Sequence, residues 1–501
     1  MKQDARKIVI VGGGIAGLCA AVYAQKCGYQ VEVLEMHDIP GGLAANWRRC
    51  GYTFETCLHW LYGSNPSSPM HAQWREVCDI DRLTFIDHEI FGCIQTESGE
   101  SLTIYTDVDR LEAEFLRRAP QDERTVRQFT AAIRKFAKFR MPSPGRSWVA
   151  NLPALAGDLP CLPLLRQLSR LSCMEYGQRF TDPLLRSAFG EGEMGQMTVL
   201  ALFFSLGWMS QHDAAYAIGG SQALIRLIVD KLTGLGGRLR LGARVERILI
   251  ANGAENNAAV GVRLASGEVI AADWVISAAD GHATLYDLLG GKYLTEATRK
   301  PYEQMQTFPS YLQVSLGVAR DLVGQPPSIT RLLDAPLPVD PGTELHQVSF
   351  RIFNFDPTFA PAGKTAVTCF LPTRNFEYWS SLEQSDHDAY QVEKHRVAAH
   401  VIAILDSIVP GISSAVEVVD VSTPATVHRF TGNWKGSMEG WFIPPGVSFK
   451  PMPNTLPGLR HFLMVGQWVS PGGGLPCGPM TARPAIQSIC HYDHVPFTPT
   501  A

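Results

Sequence analysis

The chain has 501 residues, 46% of them hydrophobic and 18% charged. That is enough for more than one core and describes a globular protein. A formal net charge of -4 offers no basic surface to nucleic acid. Eleven cysteines, an odd number, are scattered without a Cys-x-x-Cys pair or a Cys/His cluster at zinc spacing. No metal site is therefore expected, and reduced thiols in a cytoplasmic compartment are.

The charged residues 1–7 lead straight into an apolar strand, so no signal peptide is expected. The most apolar run, residues 197–209, is shorter than the roughly 20 residues a bilayer span needs. A soluble or peripheral protein is expected.

The first element is the most informative. Ile8-Val9-Ile10-Val11 reads as a buried strand running into Gly12-Gly13-Gly14-Ile15-Ala16-Gly17. A helix follows with Ile15, Leu18, Cys19 and Val22 on its buried face and Gly28 beyond its end. A second strand, Val31-Glu32-Val33-Leu34, ends at Glu35. A lone Gly-x-Gly-x-x-Gly is weak, but this one has both strands, the helix and the acid, which makes it a dinucleotide fingerprint. Gly12 allows the turn, Gly14 lets a pyrophosphate approach, and Gly17 lets the helix pack on the sheet. The helix offers free N–H groups to phosphate, and Glu35 would accept from ribose hydroxyls.

Next come the Gly41-Gly42-Leu43 loop and the aromatic segment Gly51 to Trp60. Asp107 and Asp122 read as N-caps of two helices, the second with Val126, Phe129, Ile133 and Phe136 on one face. Residues 141–180 are Pro-rich and apolar, with Arg146, Arg166 and Arg170. A helical region continues to about Met209. The match at Gly190 to Gly195 has no strand before it and carries two acids, so it reads as chance. Ser221 is expected to cap a helix with Leu224, Leu227, Ile228 and Leu232 buried. Strands are expected at 238–241, 245–250 and 274–276, with a hairpin turning at Ser266-Gly267. Residues 300–440 read as mostly strands. A last strand at 462–465 runs into Gly466-Gln467 and Pro471-Gly472-Gly473-Gly474-Leu475-Pro476, before a closing helix from about Thr481 to Cys490.

The expected fold is α/β. A discontinuous Rossmann-like FAD-binding domain draws on residues 1–60, 215–299 and 441–501. An inserted α+β substrate domain with a helical cap draws on 61–214 and 300–440. With no second nucleotide fold for a nicotinamide, the clamped nucleotide reads as the redox cofactor itself, FAD.

Four blocks resemble the flavoprotein superfamily of amine oxidases and phytoene desaturases, above all its carotenoid branch of phytoene desaturases, carotenoid isomerases and retinol saturases. They are the fingerprint with Glu35; Gly41-Gly42 followed by Gly51-Tyr52-x-Phe54-Glu55; Ile218-Gly219-Gly220-Ser221-Gln222-Ala223-Leu224; and the Gly466 block through Gly472-Gly473-Gly474-Leu475-Pro476. Leu58-His59-Trp60 is closer to the saturases and isomerases than to the amine oxidases.

The resemblance implies bound FAD. It places Gly12, Gly14, Ile15, Ala16, Gly17 and Glu35 at the adenosine half, and Gly41, Gly42 and Leu43 along the pyrophosphate and ribityl region. Val245 would face the adenine and Ala278 would lie near the cofactor. Gly466, Gln467, Gly474, Leu475 and Pro476 would approach the pyrophosphate and flavin. Three positions depart from the pattern: Gln467 replaces an acid, Leu43 replaces an arginine, and Cys477 replaces Gly or Ala. A Cys there could form a thioether to flavin, though a small packing residue is the favoured reading.

Glu55 and His59, on the segment after the glycine pair, are the catalytic candidates: a carboxylate to orient or deprotonate a substrate carbon and an imidazole to donate a proton. Trp60, Trp208 and Trp468 are expected to line an apolar pocket or fill core. The leading expectation is an FAD-dependent oxidoreductase or isomerase acting on C–C or C=C bonds of an apolar isoprenoid or polyene. A flavin amine oxidase and a non-catalytic flavin-binding protein are the alternatives. The apolar 141–209 region is read two ways, as a peripheral membrane contact or as an ordinary packed cap. The electron partner stays open among oxygen, a quinone and a nicotinamide.

Overall fold

In the computed structural model, which describes residues 5–139, 158–253, 257–447 and 451–500, the strand Lys7–Val11 sits inside a five-stranded sheet. The order is Arg238–Arg240, Gln30–Leu34, Lys7–Val11, Trp274–Ser277, Phe462–Met464, all parallel. Start, middle and end of the chain thus supply adjacent strands. Both faces of a parallel sheet are covered, and Ile8, Val9, Ile10 and Val33 are fully buried. The helix Ile15–Lys26 is buried on almost every side, from Ala16 to Ala24, more than the single face expected. It is wedged between the sheet and two further helices, Gly220–Gly234 and Cys477–Asp493.

A seven-stranded mixed sheet forms a second layer, in the order Val416–Ser422, Ser310–Val318, Thr365–Thr373, Thr343–Ile352, Ser328–Asp340, Ile90–Gln95, Ser101–Tyr105. Helices Val108–Arg118, Glu123–Phe136 and Leu200–Met209 pack a third core, built on Phe115, Phe129, Phe136 and Phe203. Arg146 and much of the Pro-rich stretch lie outside the described residues.

Several expectations are corrected. Residues 300–440 are not mostly strand: they hold the helices Glu296–Gln304, Phe376–Ser385, His387–Ile408 and Pro424–Thr431. Ser221 is not an N-cap, because the helix already begins at Gly220, with Gly219 before it at φ +87°. Asp107 does cap, accepting from Arg110 N. Asp122 precedes its helix, but its carboxylate turns to Thr181 and Asp182 instead. The closing helix starts at Cys477, earlier than expected. The Gly190–Gly195 match follows a short helix, Pro183–Ser187, and not a strand, as a chance match should.

Candidate active site

The fingerprint folds as a phosphate cradle. Gly12 turns at φ +101° and its N–H donates to Leu34 O at 2.8 Å. A Cβ on Gly17 would lie 2.0 Å from Gly12 O, so only glycine lets the helix sit this close to the turn. A Cβ on Gly14 would meet nothing nearer than Gly41 O at 3.8 Å, so that position faces open space. The glycine pair lies against this turn: Gly41 N donates to Gly13 O at 2.9 Å, and Gly41 adopts φ +125°. Glu35 ends the second strand and accepts from Gly13 N at 2.7 Å and His37 N at 2.8 Å. Its carboxylate thereby holds the cradle in shape.

A cavity of about 710 Å³ opens along this surface, within the roughly 300–1,000 Å³ of small-molecule and cofactor pockets. Every residue anticipated at the cofactor lines it except Gly17 and Pro476. Gly17 serves helix packing, and Pro476 leads into the helix Cys477–Asp493. That helix brings its N-terminal N–H groups to the cavity wall at Leu475 and Cys477, a partial positive charge. Gln467, in place of an acid, also lines the cavity and donates through Nε2 to Asn433 Oδ1 at 3.2 Å. An elongated glycine-floored cavity with a helix N-terminus at the fingerprint fits a dinucleotide.

Sequence reasoning missed part of this wall. His428, Arg429 and Thr431 from one unforeseen helix, and Ser380 and Glu383 from another, also line it. So do two acids. Asp280 accepts from Ala283 N and Trp434 N, both at 2.8 Å, and burial pushes its carboxyl up to about 7. Glu439 lies against Gly473, where an added Cβ would meet its Oε2 at 2.8 Å. Burial pushes the Glu439 carboxyl up to about 8, and its charge is felt at Cys57 and Cys477. Cys477 is buried, donates its thiol to Gly473 O at 2.8 Å, and is pushed up to about 12 by that burial.

Glu55 and His59 fall in different places. Glu55 lines neither cavity. Its Oε1 accepts from Leu58 N at 2.9 Å, and its Oε2 from Ser221 N at 2.8 Å and Ser221 Oγ at 3.1 Å. Burial pushes it up to about 7. Its partners are thus two backbone N–H groups and one hydroxyl of the chain itself, those of Ser221 at the start of the helix Gly220–Gly234. His59 lines a second cavity, of about 230 Å³, with Trp60, His88, Ile104, Met209 and Arg351. Desolvation by the surrounding chain, with the Arg351 charge nearby, pushes the imidazole down to about 3. Trp60 lines this second cavity and Trp468 the first. Trp208 lines neither and stacks on Tyr62 at 4.0 Å between centroids.

Fold and cradle define a dinucleotide-binding α/β protein with a second, smaller cavity. The family model for flavin containing amine oxidoreductase matches residues 15–460, and the chain belongs to that family. It is an FAD-dependent oxidoreductase. It is similar to a neurosporene-forming phytoene desaturase of Cereibacter sphaeroides, 26% identical over 95% of this chain and 92% of that protein. It is also similar to a chloroplastic prolycopene isomerase of Arabidopsis thaliana, 25% identical over 93% of this chain and 80% of that protein. Among solved structures, a putrescine oxidase bound to putrescine superposes with a TM-score of 0.61 at 16% identity, over 97% of this chain and 99% of that one. That likeness shows the fold. Among the described residues, no helix is long and apolar enough to cross a membrane.

Proposed function

We propose that the chain desaturates, saturates or isomerises the C–C or C=C bonds of an apolar isoprenoid or polyene. One observation carries this: Cys57 lines the cofactor cavity and His59 lines the second cavity. The short segment from Cys57 to His59 thus contributes to the walls of both cavities. The phytoene desaturase and prolycopene isomerase relatives, which cover nearly the whole chain, support the substrate class. An amine oxidase would be expected to carry a lysine near the flavin, and among the described residues neither cavity has one on its wall.

FAD, when bound, supplies hydride acceptance or donation. The chain's own residues bind, orient and handle protons. Gly14, Gly41, Gly42 and Gly466 shape the cradle, and Glu35 would receive the adenosine ribose. Phe91, Ile94, Ile104 and Met209 exclude water from the substrate side. Glu439 holds a proton on its carboxyl at neutral pH, since burial raises it, and is assigned as the acid group beside the cofactor. His59 stays neutral and walls the substrate. Glu55 is a positioning residue that fixes the 55–60 segment.

Leu159 and Leu162 are 61% and 50% exposed, and Arg166 follows Leu162 by one helical turn. This corner is proposed as the peripheral membrane contact.

The test is anaerobic mixing of the FAD-loaded protein with phytoene, retinol and putrescine, read in the flavin spectrum. Bleaching of the oxidised band by phytoene means desaturation. Reoxidation of photoreduced protein by a polyene means saturation, and a changed polyene isomer with unchanged flavin means isomerisation. Bleaching by putrescine alone overturns the proposal.

A further inference from the structure

The second cavity has a wall that a plain hydrocarbon end does not explain. Ser328, Thr330, Gln347 and Arg351 come from two paired strands, with Arg351 opposite Ser328. Residues 347 and 351 share one face of their strand. His59 and His88 add two imidazoles. Partial desolvation and the Arg351 charge push both imidazoles below their usual range, so both are neutral at pH 7. Among the described lining residues Arg351 is then the one charged side chain, with no carboxylate on the wall.

Arg351 is part-buried with its Nε enclosed, and a cation even partly withdrawn from water is costly unless something compensates it. Among the described residues Arg351 makes one hydrogen bond, from Nη2 to His59 O at 2.8 Å. The rings of Tyr216, Phe353 and Phe355 stand 5.5–5.6 Å from its Cζ, which gives a modest cation–π contribution. It has no ion pair within 4.0 Å among the described residues. Glu55, the acid within electrostatic reach, spends its oxygens on Leu58 and Ser221. Among the described residues, the buried atoms Arg351 Nε, His88 Nε2 and Gln347 Oε1 have no hydrogen-bond partner. Such a cluster of unsatisfied groups in a native fold needs a physical reason.

We infer that the second cavity receives the carboxylate end of an acidic polyene, with Arg351 as its counter-ion. This rests on the polyene reading above and narrows it to chains with an oxidised terminus. A single cation balances a single negative charge, which favours a carboxylate over a diphosphate. The apolar side of the same cavity, Ile90, Phe91, Ile104 and Met209, meets the adjoining carbons. The 230 Å³ volume holds an end group rather than a whole chain, so the remaining carbons extend away from it.

The experiment compares retinoic acid with its methyl ester on the FAD-loaded protein. Binding is read by quenching of tryptophan fluorescence, with Trp60 on the cavity wall. The acid is expected to bind at least about tenfold more tightly, as for a charge-assisted hydrogen bond. R351M should reduce that preference to about twofold or less, and R351K should keep part of it. Equal binding of acid and ester to the unmodified protein overturns the inference, and so does a preference that survives R351M. Should R351M not fold, the acid–ester comparison still decides the matter. If no acid binds while phytoene still changes the flavin spectrum, the carboxylate inference fails and the polyene reading stands. If no polyene of any kind acts or binds, both fail.

Discussion

Glu55 Oε2 accepts a hydrogen bond from the backbone N–H of Ser221 at 2.8 Å, across 166 positions of sequence. The strand Tyr52–Glu55 is thereby tied to the first turn of the helix Gly220–Gly234. The fit is close: a Cβ on Gly220 would lie 2.0 Å from that oxygen, so glycine is required there. Because burial raises this carboxyl from 4.5 to about 7, the folded state holds its proton more tightly than the unfolded chain. Its contribution to stability is complete below pH 4.5 and is lost as pH rises through 7. The loss is at most about 3 kcal/mol. Glu55→Gln should flatten that part of a stability–pH curve measured by urea unfolding. Glu55→Ala should lower stability by about 1–3 kcal/mol for each N–H left unpaired. Turnover abolished by Glu55→Gln with pH-dependent stability unchanged would restore Glu55 as a group of the reaction itself.

Two glycines of one fingerprint should fail in different ways. Gly14→Ala adds a methyl group that meets only open cavity, at an ordinary φ of -71°. The apoprotein should keep its melting temperature while FAD affinity falls by about tenfold or more, as expected for losing close phosphate approach. Gly17→Ala drives its methyl into Gly12 O at 2.0 Å. That variant should lose several degrees of melting temperature before cofactor binding is even considered. Equal loss of fold in both would mean that Gly14 is structural.

The fingerprint is legible in the sequence because it is local: two strands, a turn and a helix within residues 7–35 carry both their periodicity and their glycines. The same holds for the strands near 245 and 274. The helix His387–Ile408 escaped because residues 300–440 were read for strands, yet Val397, Val401 and Leu405 repeat at helical spacing. Asp386 also supplies a cap, accepting from Ala389 N. That signal was present. Glu439 and Arg351 are a different matter. The surroundings of each, Gly473 beside Glu439 and the aromatic rings beside Arg351, are a tertiary arrangement that no spacing encodes. Glu55 is similar: its partners, Leu58 N, Ser221 N and Ser221 Oγ, include a residue 166 positions away that no local spacing announces.

The flavin should be held without a covalent bond. Cys477 donates to Gly473 O and is pushed up to about 12, so no thiolate is present at neutral pH to attack a flavin ring. Acid precipitation should leave the yellow cofactor in the supernatant, and Cys477→Ser should bind FAD within about twofold of the unmodified protein, as a small packing replacement does. Flavin fluorescence travelling with the precipitated chain, and lost in Cys477→Ser, would establish the thioether instead.

Glu439 should set the alkaline limb of turnover. Its carboxyl is raised from 4.5 to about 8 by burial alone, so the protonated form predominates at pH 7 and is lost as pH rises through 8. If that proton is used beside the cofactor, kcat should fall above about pH 8. Glu439→Gln, which keeps size but holds no titrating proton, should lower kcat by about 10²–10⁴-fold and remove the limb. Substrate binding, read by fluorescence quenching, should change little, because Glu439 is not among the residues lining the second cavity. FAD affinity serves as the control for the Gly473 contact: a large loss there, with kcat preserved on saturating FAD, would make Glu439 a cofactor-positioning group and remove it from the proton chemistry.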